Sequence, residues 1–357
     1  MHRLIHGAFR PCVQGVLTAT AVVGAVAFLI AQTDSSPAPT QARASVDAVL
    51  TRAIATRSTD TLRVIVGLRG ADRRGVDALV QTQGGRVVDE LALINALTVE
   101  VPATALNALA TAEGVRSLSS DGTVRSSSER VEFNRTKKDV DDDGHEHLSL
   151  VPQAPQGLVA DAPASSYVSL RASLGMSSSS ASGVGVAVID SGVRKNSDIE
   201  DLTGWKDFTP AARTTPYDDF GHGTHVAGLI KGKGDLSDAK YQGIALATNI
   251  IGLKVLDANG QGDVTTVIKA IEYAVNRKAS LGIDVINLSL GHPVYEPAAT
   301  DPLVQAVEAA VRAGIVVVVS AGNNGQMLDG SSTVGYGGIN SPGNAPSAIT
   351  VGAVDTM

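Results

Sequence analysis

Between residues 183 and 354, short runs that are apolar through most of their length alternate with longer segments that are apolar on one side only, and few folds admit that alternation. GVAVI at 185–189, IGLKVL at 251–256, VINLSL at 285–290 and IVVVV at 315–319 are of the first kind. A strand with apolar side chains on both faces must be covered on both faces. The second kind supplies the covers. Residues 264–279 repeat apolar side chains at Val267, Ile268, Ile271, Ala274 and Val275, and residues 303–311 do so at Leu303, Val304, Ala306, Val307, Ala310 and Val311. Both sets have helical spacing. The expectation is a three-layer α/β domain over residues 183–357, with a mostly parallel sheet under helices. With 37 glycines and only 3% aromatic residues, its helices and sheet must pack through small side chains. The strand-like ITVGAV at 349–354 comes three residues before Met357, so this domain is expected to be incomplete.

Upstream the pattern differs. Residues 62–68, 86–91, 96–101 and 115–118 read as strands, and 72–82 and 103–112 as helices. The order β-α-β-β-α-β is a split βαβ arrangement, a small α+β, ferredoxin-like unit over residues 61–119. Its two helices cover one sheet face, and a unit of this size is marginal alone, so a stabilising partner is expected. Residues 32–60 read as linker. Residues 120–182, with RSSSER at 125–130, an acidic run at 139–143, His145, His147 and SSSSAS at 177–182, read as a flexible connector.

Arg3 and Arg10 precede an apolar stretch over residues 13–31, followed by QTDSSPAPTQ. This is the layout of an export signal cut near Ala31; the alternative is membrane attachment through the same segment. The product would be secreted or extracytoplasmic. Cys12 is the sole cysteine and the net charge is −7, so neither a disulfide framework nor a nucleic-acid partner is expected.

Two motifs carry chemistry. Asp190, in DSGV at 190–193, falls at the C-terminal end of a strand, where open parallel sheets hold their sites; capping of a turn is the alternative role. His222, in GHGTHVAG at 221–228, sits among small residues that leave one imidazole face open, as a general base requires. His225 is expected to pack. Asn323, after an Ala-Gly turn beyond a buried strand, offers a neutral dipole to developing negative charge, or else shapes the turn. Ser289, Leu290 and Gly291 either end a core strand or form an edge along which an extended peptide can add.

DSGV, GHGTHVAG, NLSLG at 287–291, AGNNG at 321–325 and SPGNAPSAITVGAV at 341–354 together resemble the subtilisin-like serine proteases in order and spacing. The resemblance covers residues 183–357 and implies a serine endopeptidase acting on polypeptides by an Asp-His-Ser mechanism. It implies Asp190 orienting His222, His222 as general base, Asn323 as oxyanion donor, and 289–291 as the substrate edge. Residues 61–119 resemble the inhibitor-type propeptide of such enzymes, so the chain's own propeptide becomes an expected partner. No cofactor is implied for the chemistry. Structural calcium occurs in such proteins, with Asp207, Asp218, Asp219, Asp257 and Asp263 as acidic loop candidates. The departure is the nucleophile: no GTSMA-like segment follows Asn323, and Ser331, Ser332, Ser341 and Ser347 do not stand in a glycine-rich elbow. The serine is therefore expected beyond residue 357. The alternative is an inactive, peptide-binding or inhibitor-like remnant.

Overall fold

The computed structural model describes residues 43–71, 73–127, 133–140, 146–152, 171, 174–239, 241–323 and 338–353. Its N-terminal part opens with β1 (Ser45–Val46) and α1 (Ala48–Ala55), then β2 (Thr61–Leu68), α2 (Arg73–Thr82), β3 (Arg86–Leu91), β4 (Ala96–Pro102), α3 (Leu106–Thr111) and β5 (Val115–Ser120). These strands form one sheet in the order β1-β5-β2-β4-β3. The β2–β4, β2–β5 and β3–β4 pairs are antiparallel, and β1 lies parallel to β5. Order thus begins inside the segment expected to be linker. Asp47 explains why: its Oδ1 caps α1 at the Leu50 amide, 2.7 Å away, and its Oδ2 takes the Ser120 amide and hydroxyl, each at 2.6 Å. One aspartate so starts a helix and ties it to β5.

The expected connector is also structured at its start. β6 (Thr123–Ser126) leaves the first sheet, and β7 (Phe133–Val140) pairs antiparallel with β8 (Glu146–Pro152). RSSSER falls partly and the acidic-histidine run mostly outside the described residues, whereas SSSSAS at 177–182 is described and forms turns, with the Ser177 amide donating to the Ser180 hydroxyl at 2.9 Å.

From β9 (Gly185–Asp190) the chain builds the second sheet, with β10 (Gly204–Asp207), α4 (His222–Lys231), β11 (Asn249–Lys254), β12 (Gln261–Asp263), α5 (Val264–Leu281), β13 (Ile283–Leu288), β14 (Leu290–Gly291), α6 (Pro302–Arg312), β15 (Val316–Ser320) and β16 (Ile349–Val351). Six strands lie in the order β10-β11-β9-β13-β15-β16, and every pair is parallel. Alternation along β9 shows the layering. Val186 and Val188 pack with Val193, Ile199, Ala227 and Ile250 on the α4 face, whereas Ala187 and Ile189 join Ile251, Leu253 and the buried sides of α5 and α6. This is the three-layer α/β domain with a parallel sheet. Strand β11 ends at Lys254, earlier than the apolar run suggests, because its partner β9 ends at Asp190, whose carbonyl takes both the Val255 and Leu256 amides at 2.8 and 3.3 Å.

The first sheet has two covered faces. Val64, Val66, Leu68, Val99 and Val101 pack with Val76, Val80, Leu106 and Leu109, while Ile65, Leu91, Ile94 and Ala96 belong to the core built around α5 and α6. Thr98 and Thr265 share a buried hydroxyl hydrogen bond of 2.7 Å across this contact, and Lys269 reaches Asp89 at 2.6 Å.

Membrane attachment through the N-terminal apolar segment is corrected. Among the described residues no helix is long and apolar enough to cross a membrane. The longest, α5, has 18 residues and carries Lys269, Glu272, Arg277 and Lys278, charges that a bilayer core would expel. The stretch 13–31 lies outside the described residues.

Candidate active site

In the parallel sheet, β9, β13 and β15 are neighbours, so their C-terminal ends open on one edge. Asp190 is the last residue of β9, Ser289 follows β13, and Asn323 comes three residues after β15. Sheet order alone therefore brings these positions to the same rim.

His222 is the first residue of α4, after Gly221 at φ 97°. Its Nδ1 lies 2.7 Å from Asp190 Oδ1 and 2.9 Å from Oδ2. A carboxylate can only accept, so Nδ1 carries the proton and Nε2 is left as the basic nitrogen. Asp190 is fully buried and His222 is 5% exposed. Burial pulls the imidazole pKa down, but the hydrogen bond and charge of Asp190, with the charge of Asp218 behind them, outweigh it and leave the pKa raised. Gly223 has to be glycine: a Cβ there would collide with the Gly192 carbonyl oxygen and crowd Asp190 Cβ at 3.0 Å. That approach lets the helix start against the strand end. His225, expected to pack, is exposed on α4.

Leu290 and Gly291 form β14 at the rim, and the strand is already paired. β6 runs antiparallel to it, with Leu290 opposite Ser126 and Gly291 opposite Arg125. The Ser127 amide and hydroxyl donate to the Ser289 carbonyl at 3.0 and 2.8 Å. On its other side β6 pairs antiparallel with β12, and the Ser126 amide donates to the Gly260 carbonyl at 3.0 Å. Segment 123–127 is thus held between two edge segments, with Val124 fully buried. Gly260 abuts the ring of Phe220, two residues before His222, which places this three-stranded sheet beside the dyad loop.

Asn323 is exposed at the end of the turn after β15; residues 324–337 lie outside those described. Ser347 donates its hydroxyl to Glu308 at 2.8 Å. Ser341 is buried in a backbone bridge with His292. Ser331 and Ser332 are outside the described residues.

The five acidic candidates for a metal each have protein donors. Asp207 accepts from Thr209, Arg213 and Tyr217; Asp219 from Lys254; Asp257 from the Asn259 and Gln261 amides; Asp263 from the Thr266 amide as N-cap of α5; Asp218 from five donors around His222. Among the described residues no group of three or more His, Cys, Asp or Glu side chains could hold a metal ion. Lys254 is a further residue of the site. It is 1% exposed and donates to the Ser191 and Leu256 carbonyls and to Asp219 at 2.5, 2.7 and 2.7 Å. Its only sequence signal is a lysine inside an apolar strand.

The model of the Subtilase family matches residues 181–357. The C-terminal region of the chain is subtilisin-like. Serine protease AprX of Bacillus subtilis (strain 168) is 41% identical over 179 residues, covering 48% of this chain and 38% of the relative. Subtilisin E of the same organism is 40% identical over 176 residues, covering 49% and 42%, and subtilisin of Bacillus pumilus is 40% identical over 176 residues, covering 49% and 58%. The chain therefore spans less than two thirds of the length of each of these relatives. Fervidolysin from Fervidobacterium pennivorans, a keratinolytic enzyme related to subtilisin, shares the fold with a TM-score of 0.57 at 22% identity, over 82% of this chain and 43% of that one. These matches show that residues 181–357 resemble the subtilase family.

Proposed function

We propose that this chain carries the aspartate, the general base and the substrate edge of a serine endopeptidase, made with its own inhibitory propeptide and working outside the cytoplasm. The observation that carries the reading is the buried dyad: Asp190 accepts from His222 Nδ1 at 2.7 Å and leaves Nε2 to take a hydroxyl proton. His222 would deprotonate a serine, Asp190 would stabilise the imidazolium, and the Asn323 carboxamide would meet the oxyanion of the tetrahedral intermediate. An extended polypeptide would lie along 289–291 by main-chain hydrogen bonding, which leaves the choice of sequence to side-chain pockets. The serine would come from beyond residue 357: Ser347 donates to Glu308, Ser341 is buried at the His292 bridge, and Ser331 and Ser332 do not stand in a glycine-rich elbow.

The propeptide reading covers residues 61–119, and the packing of β1 and α1 extends it to residue 43. It is supported by the sheet order β5-β2-β4-β3 and by β6, which occupies the edge a substrate would use. While 123–127 stays between β12 and β14, no other peptide can pair there. Maturation would require a cut within residues 120–182. The apolar stretch 13–31 supports export.

The test is an active-site-directed fluorophosphonate applied to the protein purified from its natural host, with the labelled peptide identified by mass. Labelling of one serine C-terminal to residue 357, lost in His222→Ala, is the expected result. Labelling of Ser341 or Ser347 would overturn the assignment of the nucleophile. No labelling, together with retained binding of extended peptides, would favour an inactive peptide-binding or inhibitor-like protein.

A further inference from the structure

The loop that carries His222 is short of side-chain support where it is most exposed to distortion. Gly221, the N-cap of α4, has no side chain with which to cap it, and the first amides of a helix have no partner within it. Asp218 supplies what is missing. Its Oδ1 accepts from the Phe220 and Gly221 amides at 3.2 and 2.7 Å, and its Oδ2 from the Thr224 amide and hydroxyl at 2.8 and 2.7 Å. One carboxylate therefore grips the chain on both sides of His222.

The same carboxylate reaches the other half of the dyad. Ser191, the residue after Asp190, donates its hydroxyl to Asp218 Oδ1 at 3.0 Å and accepts from the Gly223 amide at 2.9 Å. Gly192 and Asp218 form an isolated antiparallel bridge. The Thr224 hydroxyl, held by Asp218, accepts from the Arg194 amide at 2.9 Å. Lys254 closes the frame from below, donating to the Ser191 carbonyl and to Asp219. Strand end and helix start are thus joined by side chains whose hydrogen bonds meet at Asp218.

We propose that Asp218 is a positioning residue for the Asp190–His222 dyad: it fixes the imidazole against Asp190 and places a second negative charge behind it. The inference rests on the reading of His222 as a general base. A helix cap without that role would hold the loop and leave the imidazole's proton affinity alone. The charge of Asp218 already counts among the causes that raise the His222 pKa.

The experiment is a nitrogen NMR titration of the histidines in the whole chain, with His222 assigned from His222→Gln. Asp218→Asn keeps the shape and one of the two acceptor oxygens but removes the charge, and should lower the His222 pKa by about half a unit or more. Asp207→Asn is the control, since Asp207 is engaged as heavily in its own loop; it should leave the His222 pKa in place. An unchanged His222 pKa in folded Asp218→Asn, or an equal shift in Asp207→Asn, would overturn the proposal. If Asp218→Asn does not fold, Ser191→Ala retains the charge and cuts the bridge to the Asp190 turn. The His222 Nδ1 proton should then exchange with water about tenfold faster, as the hydrogen bond to Asp190 loosens; exchange at the wild-type rate would equally refute the role. Neither readout needs proteolysis, so failure of the proposed activity and failure of this inference are separable.

Discussion

Asp190 and His222 form a buried acid–base pair in which desolvation and pairing oppose each other. Pairing prevails, so the folded imidazole holds its proton more tightly than a free one. The linkage has a definite sign. A raised pKa means that the folded state binds more protons than the unfolded state between the reference value of 6.5 and the higher folded value. The stabilisation is fully present below about 6.5 and is lost as pH rises through the folded pKa. Replacing His222 by glutamine removes this contribution. The difference in unfolding free energy between the wild-type chain and His222→Gln, measured in urea at a series of pH values, should therefore shrink as pH rises from 6 to 9. A pH-independent difference would mean that the pair is not ionised as a charge-assisted hydrogen bond in the fold.

At the level of elements, the helices beside the site are started by aspartates. Asp263 accepts from the Thr266 amide at 2.7 Å, and Asp301 from the Leu303 and Val304 amides at 2.9 and 3.2 Å. Asp263 closes β12 and opens α5, so the cap also fixes where the edge segment beside β6 ends. Asp263→Ala should cost about 1 kcal/mol, the usual cost of losing such a cap, as a lowered urea midpoint with unchanged slope. A change in slope instead would show that β12 and β6 separate as well. α5 packs on both the parallel sheet and β3 of the first sheet, and α6 on β15 and the turn at Ala92–Ile94, which is why their apolar faces are broad. Val264, Val267, Ile268, Ala270, Ile271 and Ala274 are all buried on α5.

At the level of the molecule, the two sheets meet across groups that titrate. Glu296 follows β14 and sits where the N-terminal part contacts the subtilisin-like region; the Ala48 amide donates to the carbonyl of the adjacent Tyr295 at 3.1 Å. Burial, with the neighbouring charges of Asp301 and Asp47, pushes the Glu296 pKa from 4.5 up to about 7. The folded state therefore holds a proton here that the unfolded chain has released. This contribution is complete below about 4.5, falls as pH rises towards 7, and is constant above that. Glu296→Gln, neutral at every pH, should be insensitive in this window. Urea unfolding of both forms at pH 5 and pH 8 should show Glu296→Gln gaining about 2–3 kcal/mol relative to wild type at the higher pH. Parallel behaviour of the two proteins would place the Glu296 carboxyl in water.

Much of this molecule could be read from the chain alone, for a reason rooted in local geometry. Period-two and period-3.6 patterns report which side chains share a face, so β2, β9, β13, β15, α5 and α6 were legible within a few residues. Asp190 and His222 were legible because small neighbours with unusual backbone demands, Gly221 and Gly223, surround the imidazole. What the pattern did not report is pairing between segments distant in sequence. The strand of Thr123–Ser126 reads as polar connector, and only the tertiary structure puts Val124 in the core and its backbone between Gln261–Asp263 and Leu290–Gly291. A four-residue strand has too little side-chain signal to declare itself, and its hydrogen bonds are made by backbone groups that every sequence has. The helix at Ala48–Ala55 is not legible in the pattern because it depends on one buried aspartate bonded to residue 120, seventy-three positions away. Asp218 and Lys254 belong to the same class. Their residue types are common on surfaces, and only the close approach of strand end to helix start makes them the frame of the dyad.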